Sequence, residues 1–130
     1  MTIDHIGYAV RRMDRALSAF STLGYEFGPI VDDFDRNVKI CFGEKDGCRI
    51  ELVCPLDRKS ESPVDIYLKN VGPVPYHICY RSEDMEKDME DLVSKGFRMI
   101  LPPAEAVAFG GRRVAFLSSL GLGLMEIVEM

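Results

Sequence analysis

Asp-His-Ile-Gly-Tyr at residues 4–8 recurs as Tyr-His-Ile-Cys-Tyr at residues 76–80, and this repeat is the feature that predicts the fold. The same register continues further along the chain, because Arg-Ile-Glu-Leu-Val at residues 49–53 matches Leu-Met-Glu-Ile-Val at residues 124–128. Self-similarity of this kind is typical of a structural unit that occurs twice. The sequence therefore predicts two copies of one supersecondary module.

The connection between the copies falls at residues 70–75, where glycine and proline interrupt the pattern. This connection is short, and a chain of 130 residues is of the size of one domain. We therefore expect a single domain, residues 1–130, made of two modules at about 1–70 and 74–130.

Each copy has the hydrophobic pattern of a strand, a helix and three further strands. Apolar residues at helical spacing follow the first strand, and glycine comes directly after them at Gly24 and Gly96, as at many helix ends. The predicted fold class is α+β, with paired βαβββ modules forming cupped mixed sheets. Ser82 is the predicted N-cap of the second helix, and Ser62 that of a short extra helix at 63–69. The predicted strands are 3–10, 25–31, 37–42, 49–53, 75–80, 98–101, 113–117 and 122–128.

The chain has only two histidines, His5 and His77, and the repeat superposes them. It also superposes Glu51 on Glu126, each in a strand whose neighbouring residues are apolar. A carboxylate in such surroundings is costly to bury unless it is paired or bound to a metal. Two imidazoles and two carboxylates suit a borderline divalent ion. The sequence therefore predicts one metal site formed by His5, Glu51, His77 and Glu126.

Composition excludes several classes of function. The net charge is −5 and the basic residues are scattered, which argues against a nucleic-acid-binding protein. No apolar run is long enough to span a bilayer, and no signal peptide is recognisable, so we expect a cytoplasmic protein without a membrane partner. The four cysteines form no Cys-x-x-Cys pair and are expected to be reduced thiols.

These motifs together resemble the vicinal oxygen chelate superfamily, which includes glyoxalases, bleomycin resistance proteins and dioxygenases. The resemblance covers essentially the whole chain and implies metal ligands at the four positions named above. It implies one divalent ion per site, Ni, Co, Zn, Fe or Mn, with Ni or Zn favoured. It also implies that Glu126 and Glu51 act as catalytic bases as well as ligands, with Glu126 preferred.

Within the superfamily the chain is similar to glyoxalase I and to methylmalonyl-CoA epimerase. Glyoxalase I would move a proton next to the carbonyl of a thiol adduct, the thiohemiacetal of a 2-oxoaldehyde, and this is the function that the sequence analysis favours. The first alternative is an epimerase of an acyl-CoA, so the substrate is a small thiol adduct or a thioester. The second alternative is a metal-free, drug-binding resistance protein.

Several residues bear on the choice of substrate. Ala9 and Pro55 stand where glutathione-using relatives have arginine and asparagine, which puts glutathione in doubt. An epimerase should have a further acidic base after the first helix, where Asp32, Asp33 and Asp35 are candidates. A cluster of this kind is more often solvated.

Two expectations concern binding and assembly. Arg112 or Arg113 could reach an anionic part of the substrate, although a surface position is the simpler interpretation. The strand edges of each module need covering, so we expect a homodimer. The site then forms within one chain or between two chains, and the sequence leaves both open.

Overall fold

In the computed structural model, which describes residues 1–130, the chain forms two copies of a βαβββ arrangement with a short helix between them. The predicted fold class, α+β with two βαβββ modules, is therefore confirmed. The strands are β1 (Thr2–Ala9), β2 (Glu26–Asp33), β3 (Val38–Lys45), β4 (Cys48–Pro55), β5 (Val74–Ser82), β6 (Arg98–Glu105), β7 (Arg113–Ser119) and β8 (Gly123–Glu129). The α-helices are α1 (Met13–Thr22), α2 (Asp65–Asn70) and α3 (Met85–Ser94). No helix is long and apolar enough to cross a membrane.

The chain divides into two compact units, which are described separately. The N-terminal unit is residues 5–76, and the C-terminal unit is residues 77–130 together with residues 1–4. Strand order in the N-terminal unit is β2-β3-β4-β1, with β1 parallel to β4 and the other pairs antiparallel. The C-terminal unit has the order β5-β8-β7-β6, with β5 parallel to β8. The strands of each unit are thus mixed, as predicted.

Both long helices end where the sequence predicts. Gly24 and Gly96 follow α1 and α3 with the same φ of 98°, a left-handed conformation that glycine adopts without a steric penalty. The amides of Gly24 and Gly96 donate to the carbonyls of Ser21 and Val93, so each glycine closes the last turn of its helix.

The two predicted caps are wrong, for a local reason in each case. Ser82 is the last residue of β5, and its hydroxyl donates to Asp88 instead of capping α3. Asp84 caps α3 by accepting a hydrogen bond from the amide of Lys87. Ser62 makes no side-chain cap, because α2 begins only at Asp65. In both places a turn separates the serine from the first residue of the helix, so the helix begins later than the sequence pattern predicts.

Each helix covers the apolar face of its own unit. Ile50 and Leu52 of β4 pack with Met13 of α1 in one buried cluster. Met125 and Ile127 of β8 pack with the methionines of α3 in another buried cluster. Because neighbouring strand residues face opposite ways, this packing directs Glu51 and Glu126 to the face away from the helices.

The single-domain organisation stays a prediction, and two core variants test it. Leu52 and Leu117 are fully buried, one in each unit. Leu52→Ala and Leu117→Ala should each lower the free energy of unfolding by about 2–5 kcal/mol. Within one domain, either variant shifts a single transition that is measured by circular dichroism and by calorimetry. Two separate transitions, of which each variant shifts only one, would contradict the prediction.

Candidate functional site

The N-terminal unit brings His5 and Glu51 together through the parallel pairing of β1 and β4. Gly7 of β1 lies opposite Glu51, and His5 is two residues before Gly7, so the two side chains share a face. Nε2 of His5 lies 3.7 Å from Oε2 of Glu51. His5 is 1% exposed and Glu51 is 4% exposed, which places an imidazole and a carboxylate together out of solvent.

The C-terminal unit repeats this arrangement with His77 and Glu126. Cys79 of β5 lies opposite Glu126 of β8, and His77 is again two residues before that position. Nε2 of His77 lies 3.0 Å from Oε2 of Glu126, and both side chains are buried. Each unit therefore contains one buried His–Glu pair at the same place in its sheet, as the repeat predicts.

A phenylalanine beside each histidine is a feature that the sequence analysis missed. Phe42 of β3 lies opposite Glu51, and its ring contacts His5 edge-on at 5.4 Å between centroids. Phe116 of β7 lies opposite Glu126 and contacts His77 in the same way at 5.5 Å. Edge-to-face contacts of this kind fix the plane of an imidazole ring. The signal was present, because the repeat places a phenylalanine one strand before each glutamate.

The two pairs differ in their surroundings at one position. Arg49 precedes Glu51 by two residues on β4, and its guanidinium carbon lies 3.9 Å from the centroid of the Phe42 ring. The equivalent residue of β8 is Leu124. The N-terminal pair therefore has a cation on its face of the sheet, stacked on the ring that contacts His5, whereas the C-terminal pair has an aliphatic side chain.

The other acidic candidates from the sequence lie outside the two His–Glu pairs. Asp33 is buried, but its carboxylate accepts hydrogen bonds from the backbone amide and the guanidinium of Arg36, both at 3.1 Å. It stabilises the turn between β2 and β3. Asp32 and Asp35 are exposed, as expected of a solvated cluster. None of the three is part of a His–Glu pair.

Arg113 forms ion pairs with carboxylates of its own unit. Its guanidinium donates to Glu129 at 2.9 and 3.0 Å and lies 2.7 Å from Glu86. These hydrogen bonds hold the pKa values of the Glu129 and Glu86 carboxyls below their usual range. Arg113 therefore joins β7, β8 and α3, and the suggestion that it binds an anionic part of a substrate loses its support.

The cysteines take no part in either pair. None of the four is in a disulfide, and Cys41, Cys54 and Cys79 are buried. Burial raises the pKa of the Cys41 and Cys54 thiols above the usual value. Because the thiolate is the reactive form, these two side chains are core residues and not nucleophiles.

Comparison with protein families identifies the class to which this fold and these pairs belong. Residues 4–116 match the model of the glyoxalase/bleomycin resistance protein/dioxygenase superfamily. The chain belongs to this superfamily, and the resemblance seen in the sequence is confirmed.

Three individual proteins are similar to this chain over most of its length. The chain is 31% identical over 117 residues to an ethylmalonyl-CoA/methylmalonyl-CoA epimerase of Cereibacter sphaeroides, covering 88% of this chain and 86% of the relative. A crystal structure of a hypothetical protein from Bacillus halodurans matches with a TM-score of 0.86 and 29% identity, covering 99% of this chain and 94% of the other. A variant methylmalonyl-CoA epimerase of Streptomyces coelicolor, in complex with 2-nitronate-propionyl-CoA, matches with a TM-score of 0.83 and 25% identity. The match covers 99% of this chain and 96% of that structure.

These relatives bear on the three functions that the sequence left open. Two of them are epimerases of CoA thioesters. They support an enzyme over a metal-free drug-binding protein. They also favour the epimerase alternative over the glyoxalase that the sequence analysis preferred, and glyoxalase activity gains no support from them.

Proposed function

We propose that this protein is a metal-dependent epimerase that moves the proton next to the thioester carbonyl of an acyl-CoA. The observation that carries the proposal is the equivalence of Glu51 and Glu126, since each carboxylate lies beside a histidine at the same position of a βαβββ unit. An epimerase needs a proton acceptor on one face of the reacting carbon and a proton donor on the other. Two carboxylates from a duplicated unit supply both. The epimerase relatives support the thioester as substrate.

The donor set fits a divalent ion. His5, Glu51, His77 and Glu126 are all buried, and their side chains offer two imidazole nitrogens and carboxylate oxygens. Two neutral imidazoles and two carboxylates carry a charge of about −2, which a dication balances, and buried carboxylates need such compensation. We propose that the two His–Glu pairs together hold one ion. Borderline divalent metals such as Ni and Zn fit this nitrogen and oxygen set.

The chemistry divides between the ion and the side chains. A bound divalent ion supplies a Lewis acid for the negative charge that develops on the thioester oxygen. One glutamate takes the proton from the carbon next to the carbonyl, which leaves an enolate. The other glutamate would carry a proton in the reactive state, which lowers the charge of the donor set to about −1, and would return that proton to the opposite face, so that the configuration inverts. The rings of Phe42 and Phe116 contact the two histidines edge-on and hold them in place.

Solvent-deuterium exchange tests the proposed function. Metal-loaded protein is incubated in D₂O with a branched acyl-CoA or with the thiohemiacetal of a 2-oxoaldehyde, and deuterium at the carbon next to the carbonyl is measured by NMR. We expect exchange and inversion on the acyl-CoA alone. Exchange on the thiohemiacetal alone would return the assignment to a glyoxalase. If neither substrate exchanges, the epimerase proposal is wrong.

Arg49 provides a prediction about the acyl group. Its guanidinium is held on Phe42 next to the N-terminal His–Glu pair, where it would attract a carboxylate on the reacting carbon, as in a malonyl-type substituent. A hydrogen bond to a charged group contributes about 1.5–3 kcal/mol. Arg49→Leu, which copies Leu124 of the other unit, should therefore raise KM for a carboxylated acyl-CoA by about 10–100-fold.

An uncharged branched acyl-CoA is the internal control for Arg49. The exchange kinetics of this substrate should change little in Arg49→Leu, because it has no carboxylate to lose. An equal loss on both substrates would mean that Arg49 supports the site in general and does not select the acyl group.

Assembly as a homodimer remains a prediction. Each chain has a mass of 14.6 kDa, so sedimentation distinguishes a monomer from a dimer directly. We expect a dimer both with and without added metal.

A further inference from the structure

A second feature of the N-terminal unit lies beyond the His–Glu pair, at the carboxyl ends of β1 and β4. A cavity of about 590 Å³ opens there between the strand ends and α2. Parallel strands end at the same edge of a sheet, and this pairing brings Arg11, just after β1, near Pro55, the last residue of β4. The cavity is lined by Arg11, Pro55, Arg58, Asp65, Ile66, Leu68 and Lys69.

Hydrogen bonds to backbone carbonyls orient the two arginines of this cavity, but no carboxylate forms an ion pair with its three cations. Arg11 donates from Nη2 to the carbonyl of Leu68 at 2.8 Å, and the guanidinium of Arg58 donates to the carbonyl of Arg11. These partners are neutral carbonyls, and neither arginine is in an ion pair with a carboxylate. Lys69 is likewise without an ion pair. Asp65 is the single acid of the lining, and its carboxylate accepts a hydrogen bond from the amide of Ser62 at 2.8 Å.

Several other cationic side chains of the protein are paired with carboxylates, and the net charge of the chain is −5. Arg12, Arg36, Lys45, Arg81, Lys95 and Arg113 all form ion pairs. Three cations that line one cavity without such partners favour an anionic ligand.

The cavity lies at a defined position relative to the proposed reaction site. Pro55 is four residues after Glu51 on β4, on the same face of the strand. At about 3.3 Å per residue the separation is ~13 Å. The pantetheine arm of a CoA thioester has roughly as many bonds as four extended residues, and therefore spans a similar ~13 Å. A thioester at Glu51 would thus place its phosphate groups near Arg11, Arg58 and Lys69.

We propose that this cavity binds the phosphate groups of coenzyme A. The inference rests on the proposed function, because it assumes that the thioester lies at the His–Glu pairs. It adds the residues that would recognise the nucleotide end of the substrate. Phosphate oxygens accept several hydrogen bonds at once, and arginine forks with a lysine are the usual donors to them.

The test is binding of unacylated coenzyme A to the metal-loaded protein by titration calorimetry. Arg58→Ala/Lys69→Ala removes two lining cations, and Lys59→Ala/Lys87→Ala removes two exposed lysines outside the cavity as a control of equal charge. We expect the first variant to bind coenzyme A about 10–100-fold more weakly and the control to bind as the wild type does. Pantetheine, which lacks the phosphates, should bind equally to all three proteins.

Further outcomes separate this inference from the proposed function. Loss of coenzyme A binding in Arg58→Ala/Lys69→Ala, with no acyl-CoA exchange by the wild type, would keep the phosphate site and reject the epimerase. Exchange with an unchanged KM for acyl-CoA in this variant would keep the epimerase and reject the phosphate site. Inorganic phosphate that binds the wild type as tightly as coenzyme A does would also overturn the proposal. If the double variant does not fold, Lys69→Ala alone carries the same test, because its side chain makes no hydrogen bond.

Discussion

Glu126→Gln is expected to lose inversion of the acyl-CoA by about 10²–10⁴-fold while keeping its fold. The amide has the shape of the carboxylate but cannot accept a proton from carbon. Because Glu126 is buried beside His77, a substitution of equal size preserves the packing around Phe116. Metal affinity should also fall, since an anionic ligand is removed, so the assay is run with metal at saturation. The measurement is deuterium exchange on each separate epimer of the substrate, with circular dichroism to check the fold.

Glu51→Gln is the matched variant, because Glu51 occupies the equivalent position of the N-terminal unit. If the two glutamates work on opposite faces, each variant should retain exchange on one epimer only, and the two variants should retain opposite epimers. Undiminished exchange on both epimers in Glu126→Gln would remove Glu126 as a base. Loss of both epimers in either variant would mean that one glutamate serves both faces.

The fold could be predicted from the sequence because the same pattern of strands and helix occurs twice. The 4–8 and 76–80 motifs fix the first strand of each unit, and the apolar spacing after them fixes the helices. The wrong predictions concern only the ends of individual helices and strands. At Ser82 and Ser62 the pattern could not tell a hydroxyl that caps a helix from one in the turn before it, because both positions precede an apolar run. The end of β6 was also missed, since Pro102 and Pro103 are typical of loops but are tolerated on an edge strand.

The candidate site was predicted in part, for a similar reason. His5, Glu51, His77 and Glu126 stand out because a polar residue between apolar ones is conspicuous, and its repetition is more so. Phe42 and Phe116 were missed because a phenylalanine in a strand is ordinary, and only the cross-strand register places it opposite a glutamate.

The cationic cavity could not be predicted from sequence spacing. Arg11 and Arg58 are far apart in the chain, and they meet only because β1 and β4 are parallel and end at the same edge. The substrate could not be predicted from sequence spacing either. Ala9 and Pro55 could argue against glutathione, but the sequence alone offered no positive group for another thiol.

Removal of the metal is the prediction that separates one shared site from two independent ones. We expect one ion per chain by elemental analysis, and loss of acyl-CoA exchange after chelation. His5→Ala and His77→Ala should each reduce the ion content of the purified protein, because each removes one of two imidazole ligands to the same ion. If each unit bound its own ion, the wild type would hold two per chain and either variant would retain one, which would reject the shared site.

Stability gives a readout of the same site that does not depend on activity. A ligand at 1,000 times its Kd that binds only the folded state adds about 4 kcal/mol to the free energy of unfolding. For a chain of this length 1 kcal/mol corresponds to roughly 4 °C in Tm, so chelation should lower Tm by about 15 °C. Asp46→Asn removes an exposed carboxylate in the turn between β3 and β4 and serves as the control. This variant should keep the full metal-dependent shift in Tm. His77→Ala should lose most of it, because a buried imidazole donor to the ion is gone; an unchanged shift in His77→Ala would place the ion elsewhere.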